Sequence, residues 1–264
     1  MNILEEIVTH KRKEVEERKS LYPVKLLEQS IYFPSVPVSL SKYVLRADKS
    51  GIIAEIKRQS PSRGVINPYV SIERTSIGYM QAGASALSIL TDQNFFGGTS
   101  DDLITARKFN FCPILRKDFT VDEYQVLEAK SIGADAILLI AAILTPAEAK
   151  HFASLAHSLG LEVLLEVHNQ EELEAHLGVG ADLIGVNNRN LKTFEVDIDT
   201  SRRLAPLIPD GVVKVSESGI ANPETIVSLR KEGFRGFLMG ENFMKHSRPE
   251  KAARLFIDKL KEGS

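Results

Sequence analysis

From Gly51 onward the chain alternates short apolar runs, rich in β-branched residues, with longer amphipathic stretches. Eight runs stand out: Ile52–Ile56, Ala86–Leu90, Pro113–Arg116, Ala136–Ile140, Glu162–Val167, Leu183–Val186, Val212–Val215 and Phe237–Met239. Strands separated by helical stretches of about 10–15 residues predict βαβ units and a parallel sheet. Such a sheet is covered on both faces, so its strands are apolar nearly throughout instead of at every second position. Gly83-Ala84, Gly133-Ala134, Gly180-Ala181 and Gly233-Phe234 each precede an apolar run. A glycine at that place is the residue expected just past a helix end, and the four recur at steps of about two βα units. Eight units in about 200 residues predict an α/β fold, a closed (β/α)8 TIM barrel. An open, doubly wound sheet is the competitor; it lacks its Gly-x-Gly-x-x-Gly fingerprint after the first run.

The first fifty residues are different. Ile3, Leu4, Ile7, Val8 and Val15 recur at helical spacing among Glu, Lys and Arg, which predicts an amphipathic helix ending near Leu21-Tyr22-Pro23. A shorter helical stretch is expected from Val24 to Gln29, broken off by Pro34 and Pro37, and no β-rich run precedes Gly51. Residues 1–264 are therefore expected to form one barrel domain, of which residues 1–50 are an N-terminal helical extension.

Charged residues sit where a barrel does its chemistry, at the C-terminal ends of the strands. Five of the eight runs finish in polar groups: Glu55 with Lys57, then Lys117, Glu166, Asn187 and Glu217. Residues two apart on a strand share a face. If Glu55 and Lys57 point inward, so does Ile53, and the same parity joins Leu115 to Lys117, Leu164 to Glu166, Gly185 to Asn187, and Val215 to Glu217. Any one of these charges is equally well a strand-end residue reaching solvent. Five together, of mixed sign, with Arg189 close by, describe a nearly neutral cluster of the kind that burial demands. Opposite charges at contact shift pKa values by about 1–3 units, which tunes general acids and bases. His168 shares the parity of Glu166 and is expected at the rim, whereas His10, His151, His157, His176 and His246 are expected on solvated helices or loops.

Ser218-Gly219-Ile220 follows the seventh run and Gly240-Glu241-Asn242 the eighth. Loops at these places commonly hold phosphate through backbone N–H groups, and Ser60 in Ser60-Pro61-Ser62-Arg63-Gly64 adds a hydroxyl. A phosphorylated small molecule is the expected substrate. Phe95-Phe96 and Phe119 lie just past the second and third runs, as loop packing or as walls for an aromatic substrate. No spacing of His, Cys and carboxylates suggests a metal site, and no nucleophile elbow is present.

Composition adds exclusions. The 264 residues are 43% apolar and 26% charged, close to an average folded chain. With 33 basic residues against 35 acidic ones the net charge is −2, which leaves no basic excess for nucleic acid. The longest apolar run, Ala136 to Leu144, is far short of a bilayer span. Met1-Asn2-Ile3-Leu4-Glu5-Glu6 is acidic where a signal peptide is basic. Cys112 is the sole cysteine, so no internal disulfide forms, and a cytoplasmic protein without a membrane partner is expected.

Taken together, the motifs resemble those of the indole-3-glycerol phosphate synthase family of tryptophan biosynthesis, over essentially the whole chain. The resemblance rests on Ile53-Ala54-Glu55-Ile56-Lys57-Arg58-Gln59-Ser60-Pro61-Ser62, Ser88-Ile89-Leu90-Thr91-Asp92 and Pro113-Ile114-Leu115-Arg116-Lys117-Asp118-Phe119. It continues in Leu165-Glu166-Val167-His168, Gly185-Val186-Asn187-Asn188-Arg189-Asn190-Leu191 and Ser216-Glu217-Ser218-Gly219-Ile220. It implies a carboxy-lyase that converts 1-(2-carboxyphenylamino)-1-deoxyribulose 5-phosphate to indole-3-glycerol phosphate, carbon dioxide and water, with no cofactor and no metal. By the same resemblance Lys117 is the general acid, Glu166 and Lys57 assist condensation and dehydration, and Glu55 supports them. Asn187, Glu217 and Ser218 position the substrate, Arg189, Phe96 and Phe119 surround its anthranilate part, and Ser60, Gly219, Gly240 and Glu241 hold phosphate. Gln59 departs from the basic residue that relatives often carry there. Other tryptophan-pathway enzymes stand as candidate partners.

Three rivals use the same features. A Schiff-base aldolase would use a strand-end lysine as nucleophile. Phosphoribosylanthranilate isomerase, or another sugar-phosphate isomerase, leaves two lysines, three glutamates and the extra helix unexplained. A non-catalytic phosphate-ligand sensor would bind without turnover.

Overall fold

The computed structural model describes residues 2–263; Met1 and Ser264, the outermost residues of the span expected as one domain, lie outside the described residues. Helix α1 (Ile3–Leu21) opens the chain, its first turn closed by a reciprocal capping box between Asn2 and Glu5. Eight barrel strands follow among the described residues: β1 (Ile52–Ile56), β2 (Ala86–Leu90), β3 (Ile114–Lys117), β4 (Ala136–Ile140), β5 (Glu162–Val167), β6 (Leu183–Asn187), β7 (Val213–Glu217) and β8 (Gly236–Met239). The helices after them are α2 (Ile72–Ala82), α3 (Ser100–Phe109), α4 (Glu123–Ser131), α5 (Pro146–Ser158), α6 (Gln170–His176), α7 (Asp199–Leu204), α8 (Pro223–Lys231) and α9 (Pro249–Glu262). The strands form a closed parallel barrel in sequence order, shut where Ile52 of β1 lies beside Phe237 of β8 and Ile53 beside Ala86 of β2. Gly83, Gly133, Gly180 and Gly233 all adopt positive φ, the left-handed turn needed between a helix end and the next strand. Among the described residues no helix is long and apolar enough to cross a membrane.

Strand parity divides the core into two layers. Ile53, Leu115, Leu138, Leu164, Leu183, Val215 and Leu238 fill the barrel interior. Ile52, Ala54, Leu87, Ile89, Val163 and Leu165 face outward and pack with helix residues such as Tyr79, Leu103 and Phe152. The strand ends run slightly past the apolar runs: β3, β6 and β7 take in Lys117, Asn187 and Glu217 as their last residues. Backbone pairing thus places these polar side chains, since each is held in the pleat of a ladder and not on a free loop.

The extension wraps the barrel from end to end. A short helix, Leu40–Val44, drives Leu40 and Val44 into the interior cluster. Ser39 and Ser41 bond to Glu162, the first residue of β5, so this helix plugs the N-terminal mouth. Helix α1 lies over the opposite mouth. There Lys11, 1% exposed, is paired with Glu14 at 2.9 Å, Asp92 at 2.9 Å and Asp118 at 3.0 Å. Burial works against its charge, but Asp118, Asp92 and Glu14 outweigh burial and hold the ammonium above its ordinary range. Arg18 adds a second anchor to Glu128 of α4.

Candidate active site

A cavity of about 370 Å³ opens at the C-terminal ends of the strands, beneath α1. Its lining includes each residue expected to act on or hold the substrate: Glu55, Lys57, Ser60, Phe96, Lys117, Phe119, Glu166, Asn187, Arg189, Glu217, Ser218, Gly219, Gly240 and Glu241. The lower wall is the top of the apolar interior, with Leu138, Ile140 and Leu238. Polar groups that are far apart in sequence meet because each ends a strand of one closed sheet.

Lys117 is the hub. Its ammonium donates to Glu166 Oε2 at 2.7 Å and to Glu217 Oε2 at 2.9 Å. Burial opposes the charge of Lys117, yet Glu166, Glu217 and Glu55 outweigh it, so its pKa lies above the ordinary lysine range. The two carboxylates respond in opposite directions. Burial pushes Glu217 up to about 7, with Lys117 pulling back and the Glu166 charge adding to the rise. Burial also opposes ionisation of Glu166, but Lys117 and His168 hold it well below the usual carboxylate range. At neutral pH the trio is therefore one cation, one firm anion and one carboxyl near its midpoint. Pairs of titratable groups pushed apart in this way mark acid and base roles.

The second ion pair is Lys57 with Glu55, 2.6 Å apart. Asn187 ties the parts together: its amide donates to Glu166 Oε1 at 3.2 Å, and its oxygen accepts from Ser218 Oγ at 2.9 Å and Arg189 N at 3.0 Å. Two glycines make the room. A Cβ on Gly185 would stand 2.1 Å from Glu217 Oε1, and one on Gly240 2.5 Å from Glu55 Oε1. Both carboxylates lie flat against backbone that has no side chain.

On the other side, Ser60, Gly219, Gly240 and Glu241 border the cavity, with Ser218 and Gly219 both at positive φ. The Glu241 carboxylate turns between two guanidinium groups, Arg63 at 3.0 Å and Arg189 at 3.2 Å. Phe96 and Phe119 form the aromatic wall, their rings 5.8 Å apart and inclined at 38°. Phe95 points elsewhere, edge-on to His10 at 5.6 Å.

A family model described as indole-3-glycerol phosphate synthase matches residues 4–256. The chain belongs to the indole-3-glycerol phosphate synthase family. An indole-3-glycerol phosphate synthase of Bacteroides thetaiotaomicron is 50% identical over 257 residues, covering 97% of this chain and 98% of the relative. One of Caldanaerobacter subterraneus subsp. tengcongensis is 44% identical over 263 residues, covering 99% and 100%. Among solved structures, an N-acetylmannosamine-6-phosphate 2-epimerase of Clostridium perfringens superposes with a TM-score of 0.62 at 18% identity, covering 84% of this chain and 97% of that one. That likeness speaks to the barrel alone.

Family motifs did not reveal everything that lines the mouth. Ile3, Leu4 and Ile7 of α1 form part of the cavity wall, with Arg63, Leu191, Phe194 and Lys245. The apolar stripe of α1 was legible; which surface it covers was not. Gln59, which the resemblance marked as a departure from the family pattern, lies outside the lining and donates to Asn94 O at 3.1 Å. Two histidine expectations need correction. His176 is buried, its ring nitrogens bound to the carbonyls of Glu172 and Leu144, because it faces the barrel side of α6. His10 is half-buried against Phe95.

Proposed function

We propose that this chain closes the indole ring, converting 1-(2-carboxyphenylamino)-1-deoxyribulose 5-phosphate to indole-3-glycerol phosphate, carbon dioxide and water. One observation carries the assignment of roles: the Lys117 ammonium stands between Glu166 and Glu217 on the floor of a cavity bordered by Phe96, Phe119 and the glycines Gly219 and Gly240. The ring carbon that bears the carboxylate attacks the ketone carbon, and the ketone oxygen takes a proton from Lys117 Nζ. An ammonium at that place neutralises the developing alkoxide where little water competes. Carbon dioxide then leaves, and its bonding pair returns the ring to aromaticity. Water is lost last: the hydroxyl departs with a proton from an acid while a base removes one from the neighbouring carbon.

Glu217, near its midpoint at neutral pH, suits the donor in that last step, and the firmly ionised Glu166 suits the acceptor. Lys57, paired to Glu55, serves the same hydroxyl in this reading. Phe96 and Phe119 hold the aromatic ring so that its carbon faces the ketone; Asn187 and Ser218 fix the sugar, and Arg189 meets the anthranilate carboxylate. The phosphate takes Ser60, Gly219, Gly240 and the backbone of Glu241, whose carboxylate is neutralised by Arg63 and Arg189.

Residues 1–50 act in this reading as part of the barrel domain, since Ile3, Leu4 and Ile7 wall the cavity. The cytoplasm is the proposed location, and neighbouring tryptophan-pathway enzymes supply and take the small molecules. Formation of indole-3-glycerol phosphate, followed by its fluorescence, tests the whole. Borohydride trapping with substrate should give no adduct; a lysine adduct would place the aldolase reading ahead.

A further inference from the structure

His168 follows β5 by one residue, on the same side as Glu166, and belongs to no step above. Its Nδ1 lies 3.0 Å from Glu172 Oε2, an oxygen that also accepts from the His168 backbone N–H at 2.8 Å. Asn169 holds the other oxygen of Glu172 at 3.0 Å, so the ring's far side is clamped. Its Nε2 stands 3.3 Å from Glu166 Oε1, and it is shut off from solvent without a hydrogen-bond partner. The contact is an ion pair out of line for a hydrogen bond. Lys117 meanwhile takes Oε2, the other oxygen of Glu166. Glu166 thus has a cationic group on each oxygen, Lys117 on Oε2 and the ring on Oε1, where the neutral Asn187 amide also donates.

Their fates in the reaction differ. Once Lys117 gives its proton to substrate it becomes neutral, and Glu166 loses that counter-charge in a buried site. The ring on Oε1 is not spent in the step. We infer that His168 is a positioning residue, an imidazolium that keeps Glu166 ionised and in place while Lys117 is without its proton. The inference rests on the synthase reading above. Burial lowers the affinity of this ring for its second proton, but Glu166 and Glu172 outweigh burial and raise it to about 10, so the ring is charged through neutral pH. Its Nδ1 side borders a second cavity, whose charged lining is Glu5 of α1, Arg189, Lys192, Glu195 and Asp197 after β6, and Arg203 of α7. Glu166 and Glu172 are the two carboxylates in contact with the ring.

The test is a pair of variants, H168Q and E172Q, with kcat and KM followed against pH and melting recorded alongside. One lost unit of compensation is a tenfold effect. H168Q should lower kcat about tenfold, leave KM within about twofold, and move the acid limb of kcat up by about one pH unit. E172Q keeps the ring but removes the carboxylate that holds its proton, so it should keep the acid limb and bring the alkaline loss to lower pH. E172Q also decides the matter if H168Q does not fold. Unchanged pH profiles with only a lower melting temperature would make the ring a packing element and overturn the inference. An inactive wild type would sink the synthase reading instead. In that case carbon-13 NMR of the Glu166 carboxyl decides: an upward shift of about one unit in H168Q upholds the inference, and an unmoved titration refutes it.

Discussion

Replacing Lys117 by alanine removes the one ammonium bonded to both Glu166 and Glu217. Loss of a general acid typically slows turnover by about 10²–10⁴, which is about 3–5 kcal/mol of barrier. Breaking a buried pair by deleting one partner destabilises by a similar amount, about 3–5 kcal/mol. Here the loss should be smaller, because Glu217 already sits near pH 7 and takes up a proton when the cation is gone. Glu166 keeps the Asn187 amide and the His168 ring. With about 2–4 °C of Tm per kcal/mol for a chain of this size, K117A should melt less than about 10 °C below wild type. The companion variant K117R separates charge from proton delivery. Arginine restores the ion pairs and the stability, but it holds its proton too tightly to give it up. Fluorescence of the indole product gives kcat and KM, and calorimetry gives Tm. A folded K117A within about tenfold of wild-type kcat, or a K117R with full kcat, would refute the assignment of Lys117 as the acid.

Three further outcomes follow from the same geometry. Glu217 has a folded pKa above its unfolded one, so its contribution to stability is complete below the usual carboxylate pKa and is lost as pH rises toward about 7. E217Q should flatten the fall in Tm between pH 5 and 7, and an equal fall in both proteins would show that Glu217 is not the titrating group. A methyl group at Gly185 meets Glu217 Oε1 at 2.1 Å, so G185A should push Glu217 off Lys117 and lower kcat about 10²-fold; normal kinetics would mean that the strand yields instead. K11M leaves Asp92 and Asp118 buried without their common cation, which should lower Tm by about 6–20 °C and raise KM as Ile3, Leu4 and Ile7 leave the cavity wall. A stable K11M of normal KM would show that the apolar face of α1 suffices to hold it.

Much of this protein was legible along the chain. The eight apolar runs, the glycines ahead of four of them and the polar residue closing each of five strands are local patterns. They follow from the period of a strand and from the left-handed turn at a helix end. Parity separated Ile53 and Leu115 from Ala54 and Ile56 before any contact was known, and the two layers of the core keep that division. Closure also followed, since eight βα units leave a sheet with no free edge.

Other features arise only when the sheet closes. That Lys117 sits between Glu166 and Glu217 depends on strand stagger and on the space left by Gly185. The pairing of Lys11 with Asp92 and Asp118 joins an appended helix to two strand ends. The five-residue helix Leu40–Val44 is too short to show a period, yet it plugs the barrel. His176 looked solvated and is buried. Strand and helix patterns are set by interactions between residues a few places apart, and so they can be read in sequence. Ion pairs, pKa values and plugs depend on distances between residues tens of positions apart, which exist only once the barrel has brought them to within a few ångströms.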